Sequence, residues 1–135
     1  MKKYDNYVSH LAVLKKANEQ PLDNEFIISG IKDKFCLQFE LSWKLLKELL
    51  RYEGCAEAAT GSPREIIKAA YSIYPFMNEE IWLDMLRDRN TCTHIYDGEE
   101  AERLVRRVIE SYIPAFEEMQ KQIEARYSDV FNQLS

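Results

Sequence analysis

The segment from about Asn24 to Tyr52, which stops at Gly54, constrains the fold more than any other part of the chain. At about 100° per residue, Ile28, Ile31, Phe35, Phe39, Ser42, Trp43, Leu46, Leu49 and Leu50 fall on one face of a helix. Leu37, Leu41 and Leu45 form a second, narrower stripe elsewhere on it. A helix that is apolar on more than one face is either central in its bundle or paired with another chain, so a helical bundle that dimerises is expected. Only four Gly and four Pro interrupt 135 residues, so the other elements must also be long.

Four further helices follow from the same periodicity. The first covers about Tyr4 to Ala17 and ends near Gln20-Pro21, because proline cannot continue a helix. Ser62-Pro63-Arg64-Glu65 opens the third as a capping box with Pro63 where no amide is needed, and it ends near Tyr74-Pro75. Asn78 is the expected cap of the fourth, with Glu79 and Glu80 at the positive end of its dipole. The fifth starts after Asp97-Gly98-Glu99-Glu100 and carries Leu104, Val105, Val108, Ile109, Tyr112, Ile113, Phe116, Met119, Ile123 and Tyr127 on one stripe, with a bend at Pro114. No segment alternates like a strand. The expectation is an all-α, up-and-down bundle of four to five helices, one domain over residues 1–135. Trp43 and Trp82 are expected in its core.

Composition narrows the function. A net charge of −5 argues against a broad grip on nucleic acid, which needs Lys and Arg to neutralise phosphates, but leaves room for a small basic site. Cys36, Cys55 and Cys92 have neither ligand nor framework spacing and read as reduced thiols of a cytoplasmic protein. No signal peptide follows the first lysines, and no apolar run approaches the ~20 residues needed to cross a bilayer. There is no glycine-rich phosphate loop, nucleophile elbow or Cys/His cluster. Two histidines, His10 and His94, cannot build a histidine-rich metal site in one chain, so no metal or cofactor is expected. His10 reads as a surface or boundary residue.

The segment from Arg89 to Tyr96 is polar just where a helix should still supply core side chains. Arg89 and His94 are five apart and diverge by roughly 140° on an ideal helix, so both can face one ligand only if the helix ends or distorts there or a second subunit completes the site. Asn90 and His94, four apart, are natural neighbours. Spacing alone favours a capped helix end with Arg–Asp pairs and a histidine near the dipole's negative end. Glu40, Lys44 and Glu48 read as a solvated ion-pair row, with the alternative that Glu40 faces a cleft together with Asp88. Arg103, Arg106 and Arg107, interleaved with Glu102 and Glu110, read as surface pairs or as an extension of a phosphate-binding patch.

Arg89-Asn90-x-x-x-His94-x-Tyr96 resembles the R-x4-H-x-Y signature of the HEPN superfamily, specifically its HepT-like branch, long labelled "nucleotidyltransferase substrate-binding protein". The likeness extends through Phe39-Glu40-Leu41-Ser42-Trp43-Lys44, Ser62-Pro63-Arg64-Glu65 and Trp82-Leu83-Asp84-Met85-Leu86-x-Asp88-Arg89-Asn90, over roughly residues 10 to 125. The resemblance implies a helical homodimer with the Arg and His of both chains along a shared cleft. It implies a cognate minimal nucleotidyltransferase as partner and, in the toxin–antitoxin version, a metal-independent endoribonuclease acting on RNA. The partner silences that activity by adding AMP to the motif tyrosine, here Tyr96. In such an enzyme His94 would transfer protons, Arg89 would stabilise the phosphorane and Asn90 would orient the imidazole. The alternative is a non-catalytic subunit that presents substrate to the nucleotidyltransferase. A third, weaker option is a scaffold with neither activity. Cys92, inside the motif, adds sensitivity to oxidation.

Overall fold

The computed structural model describes residues 1–131; the last four positions of the expected domain, 132–135, lie outside the described residues. Helix α1 (Lys2–Leu14) runs into a 3-10 turn (Lys15–Glu19) that dies before Pro21. Helix α2 (Glu25–Tyr52) is opened by Asn24, whose side chain accepts from the amides of Phe26 at 2.8 Å and Ile27 at 3.2 Å. It closes in a Schellman motif. Cys55 N–H reaches Leu50 O at 2.9 Å and Gly54 N–H reaches Arg51 O at 3.0 Å, a geometry that puts Gly54 at φ +80°, where a Cβ is costly.

Helix α3 (Pro63–Ile73) starts at Ser62. The Ser62 hydroxyl accepts from Glu65 N at 3.4 Å and donates to the Glu65 carboxylate at 3.3 Å, so the reciprocal bond of the capping box goes to the hydroxyl. Helix α4 (Glu79–Thr91) is capped by Asn78 Oδ1, which accepts from Ile81 N at 3.1 Å. The last rod comprises α5 (Gly98–Arg107), a π turn (Val108–Tyr112) and α6 (Ile113–Tyr127). The irregularity expected at Pro114 therefore takes the form of a π turn just before it, which lets the ladder skip the amide that proline lacks.

Helix α2 is the centre of this all-α bundle, packing against α1, α3, α4 and α5, while α1 also meets α6. Phe35, Phe39, Leu45, Leu46, Leu49 and Leu50 of α2 are fully buried, each such side chain stabilising the fold by about 1.5–3 kcal/mol through removal from water. The second stripe of α2 splits: Leu45 is buried, Leu41 half-buried and Leu37 49% exposed. Trp82 is in the core, but Trp43 is only half-buried at its edge. Two polar side chains of α2, Gln38 and Ser42, are fully buried. Gln38 accepts at His10 Nδ1 across 2.7 Å and donates to Tyr7 O at 3.2 Å, and the Tyr7 hydroxyl donates to Phe116 O at 2.6 Å. That chain of bonds fixes α1 against both α2 and α6 and makes His10 a half-buried boundary residue. Among the described residues, no helix is long and apolar enough to cross a membrane.

Candidate functional site at the corner between α4 and α5

The polar segment sits on a corner that is tied at both ends. A helix end leaves carbonyls without partners, and here side chains supply them: the Thr91 hydroxyl donates to Arg87 O at 3.1 Å, and the Cys92 thiol donates to Arg89 O at 3.3 Å. Beyond Thr91 the chain makes a single 3-10 turn (Cys92–His94), closed by Ile95 N–H on Cys92 O. The Lys32 ammonium of α2 donates to that same carbonyl at 3.4 Å. Ile95 is half-buried against the core, and Asp97 then caps α5 by accepting from Glu99 N at 3.0 Å. The helical register is thus broken between Arg89 and His94, as their spacing required of a shared site.

The side chains divide into three groups. Arg89 turns inward to α2, where its guanidinium pairs with Glu40 and lies 6.0 Å from the centre of the Phe39 ring. Its Nη1 donates to Asn90 Oδ1 at 3.0 Å. Glu40 is itself positioned by the Trp43 indole N–H at 3.1 Å, with Lys44 at 4.0 Å. Trp43 therefore serves Glu40 at the edge of the core, because an indole N–H needs a partner that the apolar interior lacks. The expected row of charges extends no further along α2, since Glu48 pairs with Lys3 of α1 at 3.6 Å.

Asp88 faces the other way. It is 5% exposed and accepts from Arg107 Nε at 3.0 Å and Nη2 at 3.1 Å, and from the Tyr112 hydroxyl. Arg107 precedes the π turn and Tyr112 is its last residue, which brings both onto one carboxylate. Burial and the bond to Asp88 push the Tyr112 phenol well above the ordinary tyrosine range, and the same carboxylate strengthens the hold of Arg107 on its proton. Asp88 thus clasps α4 to the last rod. Of the three basic residues of α5, Arg106 makes the expected surface pair with Glu102 at 2.9 Å, whereas Arg107 is committed to this clasp.

His94 and Tyr96 form the third group. Both are exposed, Tyr96 to 89%, and neither side chain makes a hydrogen bond among the described residues. Asn90 does not reach His94; its carbonyl oxygen is used by Arg89. Tyr96 borders a cleft of about 550 Å³ between the starts of α2 and α5, with Leu22, Asn24, Ile28, Lys32 and Ala101 among its walls. Arg89 and His94 do not line it. Within one chain, then, the guanidinium and the imidazole are held on the same corner but are not joined. No group of three or more His, Cys, Asp or Glu among the described residues is arranged to hold a metal ion.

Two juxtapositions had no local signal in the sequence. Arg107 and Tyr112 meet Asp88 from 19 and 24 positions away, and Cys36 lies with its sulfur 2.7 Å from that of Cys92, 56 positions away. Apolar periodicity says which face is inward, not which polar atoms meet there.

Comparison with known proteins adds one finding. The model of a family described as "nucleotidyltransferase substrate binding protein like" matches residues 2–125, from the first turn of α1 to near the end of α6 and across the whole corner. The chain belongs to that family. No curated protein matches it. For a nucleotidyltransferase substrate-binding-like chain, the corner presents a phenol open to solvent, an imidazole open to solvent and a guanidinium paired with a carboxylate.

Proposed function

We propose that this protein is a HepT-like HEPN subunit that works with a cognate minimal nucleotidyltransferase, cleaves RNA without a metal, and is silenced when its partner adds AMP to Tyr96. The observation that carries this reading is the state of Tyr96: 89% exposed, with no hydrogen bond to its own chain among the described residues, two positions beyond the exposed His94. A buried tyrosine would serve packing. One that projects from a capped corner is accessible to a second protein's active site. Its phenolic oxygen would attack the α-phosphorus of a nucleoside triphosphate held by the partner, expelling pyrophosphate and losing the phenolic proton. The attached nucleotide would then add bulk and negative charge beside His94 and repel the RNA backbone.

Cleavage without a metal needs a base for the ribose 2′-hydroxyl, an acid for the leaving oxygen and a fixed positive charge at phosphorus. Imidazole supplies proton transfer near neutrality, worth roughly 10²–10⁴-fold, and guanidinium supplies planar donors for phosphate oxygens. Because Arg89 and His94 are not joined within one chain, the working site is a pair of corners in a homodimer. The outward Leu37 and half-buried Leu41 of α2 are the apolar surface we assign to that contact. Asn90, whose carbonyl oxygen engages Arg89, positions the guanidinium more directly than the imidazole.

A second reading has its own support. The Arg89–Glu40 pair satisfies the guanidinium internally, which suits a non-catalytic subunit presenting substrate to the nucleotidyltransferase. Purified protein incubated with RNA in a chelator separates the two. Ribonuclease action is expected to fall by a factor on the order of 10²–10⁴ in His94→Ala and to be lost in Arg89→Ala. Cleavage left unchanged by His94→Ala overturns the catalytic assignment. An intact chain that binds the nucleotidyltransferase but never cuts RNA supports the presenting subunit.

A further inference from the structure

The sulfurs of Cys36 and Cys92 approach to 2.7 Å, although the residues come from different elements. Cys36 is on α2, half-buried, with a route to solvent; Cys92 is 5% exposed and begins the 3-10 turn after α4. Both backbones are held in place: α2 is the centre of the bundle, and Cys92 O is bonded by Lys32. A disulfide needs sulfurs about 2.05 Å apart, so closing one here asks for a small side-chain rotation and no rearrangement of helices. The third thiol, Cys55, lies beyond the other end of α2 in the Schellman turn.

We propose that Cys36 and Cys92 form a reversible intramolecular disulfide that clamps the corner bearing His94 and Tyr96 to α2. With a hydroperoxide as oxidant the chemistry balances in two steps. The Cys36 sulfur, the one within reach of solvent, attacks a peroxide oxygen; the O–O bond breaks, leaving a sulfenic acid and releasing water or an alcohol. The Cys92 sulfur then attacks the sulfenyl sulfur, the S–S bond forms, the S–O bond breaks, and a second water leaves with the thiol proton. Two thiols are oxidised and one peroxide is reduced. The second step is fast relative to capture by an outside thiol because its partner is already in contact.

The clamp has a structural consequence. Cys92 loses the proton that it donates to Arg89 O, and the turn between Arg89 and His94 becomes covalently tied to α2. Burial and the adjoining Cys92 sulfur hold the proton of Cys36 well beyond the ordinary thiol range, partly offset by Lys32. The proposal does not depend on whether the protein cuts RNA, since formation of the bond is read by mass alone.

The full chain, reduced and freed of reductant, is treated with hydrogen peroxide and then with an alkylating agent. Expected is a monomer that has lost two hydrogens, alkylates once, at Cys55, and alkylates three times after dithiothreitol. Cys36→Ser and Cys92→Ser each abolish the loss, and Cys55→Ser keeps it. The oxidised form is expected to melt about 5–15 °C higher, because the bond closes a long loop of the unfolded chain. It is also expected to show slower hydrogen exchange across residues 91–96. Three alkylatable thiols after oxidation, a crosslink through Cys55 or between chains, or unaltered exchange across the corner overturns the proposal.

Discussion

Removing the carboxylate of Asp88 is the sharpest perturbation of what holds the corner together. Three bonds converge on it, two from Arg107 and one from Tyr112, and the residue is 5% exposed. In Asp88→Ala the Tyr112 hydroxyl stays buried without an acceptor, a loss of about 1–3 kcal/mol for a bond to a charged group. The Arg107 side chain is 42% exposed and can turn to water, so its lost ion pair adds at most about 1 kcal/mol. The sum is about 1–4 kcal/mol, or a fall in Tm of roughly 4–15 °C for a domain of this size. Asp88→Asn keeps the shape and one acceptor and should lose about half as much. Glu102→Ala, which breaks the exposed pair with Arg106, should stay within about 0.5 kcal/mol. Urea unfolding of the four proteins gives the ordering. An Asp88→Ala chain as stable as the parent would refute the clasp.

The fold should weaken in alkali. Burial and the bond to Glu124 push Tyr4 up to about 12, and burial also raises Tyr7, Tyr74, Tyr112 and Tyr127. These phenols keep their protons longer in the folded chain than in the unfolded one, where a tyrosine titrates near ~10. Their contribution is therefore complete below about pH 10 and is lost as pH rises towards 12; melts at pH 9 and pH 11 should show a clear drop, and a flat or rising Tm contradicts it. For the proposed homodimer, Leu37→Asp should raise the dimer dissociation constant by ~10-fold or more while leaving Tm of the monomer within a few degrees, since an exposed leucine contributes little to folding. Sedimentation at several concentrations decides this, and a dimer unaffected by the charge moves the interface elsewhere.

The scaffold was legible in the sequence because apolar period and capping residues are local signals. The caps at Asn78 and Ser62 and the stripe of the last rod stand where the sequence places them, while α5 starts at Gly98, inside the capping stretch after which it is expected. What failed was polar pairing at a distance. Trp43 has the spacing of a core residue, yet its N–H draws it to Glu40 at the surface edge. The row of Glu40, Lys44 and Glu48 obeys helical neighbour rules, but Glu48 pairs instead with Lys3 of another helix. Asn90 is the natural neighbour of His94 only while the helix continues, and it ends at Thr91, so the amide serves Arg89 instead. Cys36 and Cys92 are far apart in the chain and together in the fold because α4 lies along α2, which no cysteine spacing encodes.

The role proposed for the corner is tested most directly by the intact mass of the chain after incubation with a minimal nucleotidyltransferase of the proposed cognate kind, ATP and magnesium. A gain of one or more AMP units is expected on the parent protein, absent from Tyr96→Phe and retained in His94→Ala. No gain on the parent, or a gain that survives in Tyr96→Phe, would mean that the exposed phenol is not the acceptor and that this corner is not where the partner acts.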